Sequence, residues 1–492
     1  MTTNQYDAIV IGGGHNGLVN GAYLARAGLN TLILERRHLV GGAAITEELR
    51  PGFHFTTFSY AISLLRPDII HELDLVQHGL KVLPMPTSFT PTADGDFLHL
   101  GPDAETNYHE IARHSKQDAE AYHEYSHLMD RVCHAVKPLL DEIPPNVVGE
   151  DPEDLLRMAK LGSHLRGLDP EVLQMLVRLL SGSSAEILDD YFESDALKAS
   201  IASSSIIGSK VGPRSQGSGL VLLFHKLGEI DGVFGEWGFH KGGNGGFTQA
   251  VARAAQALGA NIRLEAAVTK VKTDNGRATG VVLADGEEID APIVVSALDP
   301  RRTFLEFVEP QELPTELVRG IESYKFQGVS AKVNFALDGP PQHASPGFRT
   351  DMLRGFINIG PTVDYIERAF DEAKYGRYSS KPYVDGCVQS MIDPDMSPPG
   401  KHVMSCFVQY APYELADGDW DSVGGEFGDT VQAAIEEYFP GFGDLVLQRE
   451  VVTPRDIEAK VGLSEGNIFA GEFLTPQMFF FRPAPGWNQY RT

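Results

Sequence analysis

The chain has 492 residues, enough for two interleaved domains rather than one. With 42% hydrophobic and 22% charged residues and a mean hydropathy of −0.15, it can bury a sizeable core, which excludes disorder and fibrous repeats. Its 41 Lys and Arg against 67 Asp and Glu leave a net charge of −26, a field that repels nucleic acid.

The three cysteines, Cys133, Cys387 and Cys406, are far apart and form no CxxC pair. That excludes a disulfide framework, a Cys-rich zinc site and the redox dithiol of a disulfide reductase. Residues 1–7 are polar without a basic region before an apolar stretch, and the run Ala8–Ile11 is too short for a signal core. No segment approaches the ~18 apolar residues of a membrane span. The expectation is a cytoplasmic protein, or one of the mitochondrial matrix in a eukaryote, with peripheral membrane contact and self-association left open.

Residues 6–35 read as one βαβ unit: an apolar strand over 6–11, a glycine turn over 12–17, a helix over 18–27 and a second strand over 31–35. Gly28 stands where a helix end wants a left-handed residue. Residues 104–230 read as helical, with Asp151-Pro152 and Asp169-Pro170 as N-caps followed by a first-turn proline, and Ser183 to Glu186 as a capping box. At 242–246 the pattern returns to α/β, with a helix over 247–258 and strands over 262–271, 280–284 and 292–297. Residues 325–410 lean to β, and 329–337 alternate like a half-exposed strand. Residues 412–430 carry six acidic side chains and no Lys or Arg, which predicts a solvated loop.

The chemistry concentrates in Gly12-Gly-Gly14-His15-Asn16-Gly17, a GxGxxG between a strand and a helix. Gly12 permits the tight turn, Gly14 lets backbone approach a pyrophosphate, and Gly17 allows close helix–strand packing. The helix N-terminus offers amides and a positive dipole to phosphates. Glu35 follows the last glycine by eighteen residues and can accept both ribose hydroxyls. This is a dinucleotide site; the βαβ unit alone does not separate NAD from FAD.

Glu35-Arg36-Arg37-His-Leu-Val-Gly41-Gly42 extends the motif and resembles the FAD fingerprint of the phytoene desaturase and amine oxidase superfamily. Gly242-Gly243 with Gly246, Val268 in Leu-Glu-Ala-Ala-Val-Thr-Lys-Val, and Val294-Val-Ser-Ala-Leu-Asp-Pro300 resemble its later blocks. Gly466-Asn-Ile-Phe-Ala-Gly-Glu-Phe and Phe479-Phe-Phe-Arg-Pro483 are similar to one branch of it, so the likeness spans the chain. The resemblance implies FAD, with Gly12, Gly14, His15, Asn16, Gly17, Glu35, Arg36, Arg37, Gly41, Gly42 and Val268 around it, Val268 at the adenine half. Ala43 stands where the family commonly has an Arg, which removes one phosphate contact. The family also closes with a glycine-rich flavin motif opening a last helix. The chain reaches Thr492 before such a segment, although Ile468-Phe-Ala-Gly471-Glu472 resembles part of it. The expectation is a truncated piece or a weakened hold on the flavin ring.

The implied fold is α/β, a Rossmann-type FAD-binding domain assembled from 1–75, 235–310 and 450–492. An α+β substrate domain, 76–234 and 311–449, is inserted into it. The implied reaction moves a hydride from a substrate C–H bond to flavin N5. An apolar, isoprenoid-like substrate is the first reading, an amine the second, and a non-catalytic flavin-fold scaffold the third. No second strand–GxGxxG–helix unit exists for a nicotinamide, which points to oxygen or a quinone as electron acceptor.

Phe224, His225, Phe234 and Trp237 fall where the resemblance puts pocket lining; ordinary core aromatics are the alternative. Lys332 could stand near flavin N5, as in amine oxidases, or be a surface lysine on a half-exposed strand. His123-Glu-Tyr-Ser-His127 matches HExxH, but the extended form needs Gly and His where Asp130 and Cys133 stand. The reading is a surface helix without metal.

Overall fold

Continuous apolar strands need cover on both faces, and the computed structural model, which describes residues 6–489, supplies it. The strands run in the order Asn261–Arg263, Thr31–Leu34, Ala8–Ile11, Ile293–Ser296, all parallel. Val10 and Ile33 face the helices His15–Arg26 and Gly245–Ala257, where Leu18, Ala22, Val251 and Ala255 meet them. Ile9, Ile11, Leu32 and Leu34 face a three-stranded antiparallel sheet through Val271, Val281, Leu283 and Ile289. The expected strand over 262–271 is two pieces, Asn261–Arg263 and Val268–Asp274, broken where Glu265 takes a positive φ of 54°.

The second body is a seven-stranded mixed sheet. Its order is Val446–Val452, Ser330–Leu337, His402–Gln409, Tyr383–Cys387, Phe356–Ile359, Ser88–Pro91, Phe97–Leu100. Residues 450–452 thus sit in this sheet, and 453–489 add no strand to the parallel one. The helix Trp420–Tyr438 covers one face, burying Trp420, Phe427, Val431 and Ile435 against Val333 and Phe335. This corrects the loop expected over 412–430: its second half is helix, begun by an Asp419–Ser422 capping box. Three glycines and the acidic outer face obscure the apolar residues at helical spacing.

The other face of that sheet meets residues 53–60 and Phe239 through Tyr60, Ala336 and Phe407. The strand Ser330–Leu337 is therefore buried on both sides, not half-exposed. Its polar positions, Ser330, Lys332 and Asn334, point into the seam between the two bodies. Capped helices fill the stretch between the two sheets' contributions, with Asp151, Asp169 and Ser183 each accepting from a first-turn amide. The expected capping box at Ser183 is only half formed, since the Glu186 carboxylate accepts from Ser183 Oγ and not from its backbone.

Candidate functional site

The parallel sheet delivers its glycine turn to the head of the first helix. Gly12 takes φ +99° while its N–H donates to the Leu34 carbonyl at 2.9 Å. A Cβ on Gly17 would lie 1.9 Å from the Gly12 oxygen, so helix and strand touch there as the motif requires. Gly14 is different. Its φ of −70° suits any residue, and an added Cβ would meet nothing nearer than Gly42 Cα at 3.7 Å. Nothing in the protein's own packing demands glycine at 14, and the space beside it would suit a ligand.

Gly41 closes the other side, its N–H donating to the Gly13 carbonyl at 2.8 Å, with Gly14 and Gly41 in a parallel bridge. Glu35 is 6% exposed; its Oε2 accepts from the Gly13 amide at 2.8 Å and its Oε1 from the Arg37 amide at 2.9 Å. Each oxygen keeps a lone pair for a hydroxyl donor. Arg37 pairs through Nη2 with Glu47 at 3.2 Å, while its buried Nη1 has no partner. A buried, unpartnered guanidinium donor beside a glycine cradle fits an anionic phosphate or ribose oxygen. Arg36, by contrast, donates Nη2 to the Ala459 carbonyl at 2.9 Å and ties down the helix Pro454–Val461.

His15 and Asn16 are exposed at the helix head. Desolvation by the surrounding protein lowers the His15 pKa below the ordinary imidazole value. Val268 starts the strand that follows Ala266, whose N–H donates to the Glu35 carbonyl at 2.9 Å. The glycine turn, Glu35 and Val268 are therefore gathered at one corner. Ala43 accepts from the Ser59 amide at 3.0 Å and braces the next segment. The second glycine block has its own partners: Gly242 N–H donates to Asp393 at 2.6 Å and Gly245 N–H to Thr46 at 3.0 Å. It braces residues 41–46 and contributes no free amide there.

The Glu35 carboxylate sets the first expected outcome. A charge-assisted hydrogen bond is worth about 1.5–3 kcal/mol. Glu35→Ala should weaken FAD binding about tenfold or more while circular dichroism stays unchanged. Fluorescence titration of flavin against wild type and variant reads this, and equal affinities would remove Glu35 from the site.

The aromatic candidates divide. Phe224 contacts Phe473, with ring centres 4.5 Å apart, and His225 stacks on Trp237 at 6.0 Å. Trp237 meets Phe356 edge-on at 6.0 Å, and Phe356 meets Tyr60 at 6.2 Å. This row of rings ends at Lys332, whose Nζ lies 4.1 Å from the centre of the Tyr60 ring. Phe234 is not part of it: it packs into the helical core, 4.9 Å from His134 and 5.5 Å from Lys137 Nζ. Lys332 is also corrected. It is 2% exposed, not a surface lysine, because residues 56–60 cover its strand.

Burial lowers the His225 pKa to about 4, so the ring is neutral, with Nδ1 2.9 Å from the Val221 carbonyl. The sequence reading missed Tyr60, Asp385 and Ser405. One signal was present: Asp385 stands inside the apolar strand Tyr383–Cys387, where a carboxylate needs a reason.

His123 and His127 lie on the exposed face of the helix Lys116–Val136. No group of three His, Cys, Asp or Glu among the described residues is arranged to hold a metal. The His123→Ala/His127→Ala protein should match wild type in zinc content and spectrum after dialysis. Stoichiometric zinc lost in the variant would restore the HExxH reading. No helix among the described residues is long and apolar enough to cross a membrane.

A model for flavin containing amine oxidoreductases matches residues 17–421. The chain is 40% identical over 511 aligned positions to pyridine nucleotide-disulfide oxidoreductase domain-containing protein 2 of Mus musculus, covering 99% of this chain and 88% of that protein. It is 27% identical to a limonene dehydrogenase polypeptide of Castellaniella defragrans, covering 97% and 87%. Putrescine oxidase solved with putrescine bound shares the fold, with a TM-score of 0.52 at 18% identity over 91% and 84% of the two chains. The cofactor is FAD, for which the glycine cradle, Glu35 and the unpartnered Arg37 Nη1 are suited. With a family model over most of its length and a 40% identical relative along nearly all of it, the chain belongs to the flavin-containing amine oxidoreductase family.

Proposed function

We infer that this oxidoreductase removes a hydride from a C–H bond of an apolar, isoprenoid-like substrate. The observation that carries the reading is the row Phe473, Phe224, His225, Trp237, Phe356, Tyr60. Its one imidazole is neutral across the physiological range, so the row offers rings and no charge until Lys332. Apolar surface of this kind recognises hydrocarbon. The name of the limonene dehydrogenase relative agrees with a terpene-like substrate.

FAD supplies the hydride acceptor when bound. The protein's share is orientation and exclusion of water. Glu35, Arg37 and the Gly14 cradle would hold the nucleotide half, and the aromatic row would position the substrate. Oxygen or a quinone is the proposed final acceptor, since the three cysteines are free and buried and cannot pass electrons as a dithiol.

An amine substrate is the second reading, favoured by the family name. It would need an aromatic face for its ammonium; the Tyr60 face is already taken by Lys332, which leaves those of Trp237 and Phe356. Anaerobic mixing of the flavin-loaded protein with terpenes, polyenes and primary amines separates the readings. Bleaching of the flavin band by terpenes or polyenes alone is expected. Bleaching by amines alone selects the second reading, and purified protein without a flavin spectrum selects the scaffold.

A further inference from the structure

Lys332, Tyr60 and Asp385 come from distant parts of the chain and meet in the seam between the two bodies. Lys332 Nζ donates to Ser405 Oγ at 2.7 Å and sits over the Tyr60 ring. The Tyr60 hydroxyl donates to Asp385 Oδ2 at 2.6 Å, while Asp385 Oδ1 is buried with no partner. Asp385 is 7% exposed. A buried ammonium and a buried carboxylate each resist ionising alone, and each favours the charge of the other.

Few titratable groups face Lys332. They are Asp385 and Cys387 from one strand, Cys406 from the next, and Glu450 from the outer strand, with Tyr60 from the connecting segment. Burial pushes the Cys387 thiol up to about 12 and raises Cys406 as well, so both stay neutral near pH 7. Glu450 is already engaged, accepting from Asn334 at 3.0 Å and lying 3.5 Å from Lys460 Nζ. Asp385 is left as the carboxylate that answers to Lys332. Burial draws Lys332 down to about 8 and pushes Asp385 up to about 7, so both change charge close to neutrality.

We propose that Tyr60 and Asp385 are positioning residues that set the charge of Lys332, the three acting as one protonic unit at the end of the aromatic row. When Asp385 is ionised, its charge, held in place by the Tyr60 hydroxyl, keeps the ammonium over the ring. When Asp385 is neutral, Lys332 has no free buried counter-charge and holds its proton less tightly. The unit deepens the oxidoreductase reading and rests on it for its consequence: a fixed cation favours the more negative, reduced state of a nearby flavin.

Lysine labelled with ¹³C at Cε follows the charge directly, and the Lys332→Met spectrum identifies the signal. In Asp385→Asn the Lys332 midpoint should fall by about one pH unit or more, tenfold in proton affinity. Tyr60→Phe should lower it too, because the ring remains beneath the ammonium while Oδ2 loses its donor; this variant decides the matter if Asp385→Asn does not fold. A midpoint that stays in place or rises overturns the proposal. In FAD-loaded protein, the plot of reduction potential against pH should change slope at the Lys332 midpoint and shift with it in the variants. A change of slope that does not follow Lys332 overturns the link to the flavin. Protein that binds no flavin fails the oxidoreductase reading instead, and the lysine titration still decides the unit itself.

Discussion

Gly14→Val protein should purify folded and colourless. The backbone at 14 has a φ of −70°, open to a β-branched residue, and a Cβ there would make only ordinary contact with Gly42 at 3.7 Å. Folding therefore loses little. The side chain would instead fill the space between the helix head and the Gly41-Gly42 turn, where a pyrophosphate has to lie against backbone. Losing even two charge-assisted hydrogen bonds, at about 1.5–3 kcal/mol each, weakens binding a hundredfold or more. Gly17→Val separates this effect from a structural one. A Cβ at 17 would stand 1.9 Å from the Gly12 oxygen and 3.2 Å from Ala297 Cβ, so that variant should fail to fold. The ratio of flavin to protein absorbance, read beside circular dichroism, distinguishes them. Fully flavin-loaded Gly14→Val would place the phosphates elsewhere.

The contrast between these glycines marks how far the sequence could be read. The βαβ unit was legible because each residue of the motif answers a local need: Gly12 the turn, Gly17 the contact, Glu35 the end of the second strand. The capped helices were legible for the same reason, since Asp151, Asp169 and Ser183 act within their own first turn. The long-range seam was not. Alternation along 329–337 is the pattern of a strand with one wet face, and only residues 53–60, nearly three hundred positions earlier, show why its polar side is dry. The same gap hid Tyr60 beneath Lys332 and sent Phe234 to a different core from its sequence neighbour Trp237. Both Arg36 and Arg37 stand in the motif, yet the packing of residues 454–461 occupies Arg36 and leaves Arg37 with an unpartnered nitrogen.

Glu472→Gln should make the protein more stable above pH 8 and leave it nearly unchanged at pH 5. Glu472 is 4% exposed, and its Oε1 is buried with no partner. Its backbone is held by a bond from its N–H to the Lys325 carbonyl at 2.9 Å. Burial raises its pKa from 4.5 to about 8; Glu465 adds to the shift, while Lys210 and Lys325 oppose it. The sign follows from proton binding. The native carboxyl holds its proton up to about pH 8, whereas the unfolded one releases it near 4.5, so the native state binds more protons between those values. Stability is therefore full below the unfolded pKa and falls as the pH rises through the folded one. At about 1.4 kcal/mol per unit, the loss that builds up between pH 4.5 and about pH 8 is on the order of 5 kcal/mol. Glutamine has the same shape and carries no charge to desolvate. At pH 5 it replaces a neutral carboxyl and changes little; at pH 9 it replaces a buried, unpartnered anion. Urea unfolding of both proteins at pH 5, 7 and 9 should show a difference that grows with pH. A difference that is the same at all three would mean that Lys210 and Lys325 already neutralise the carboxylate.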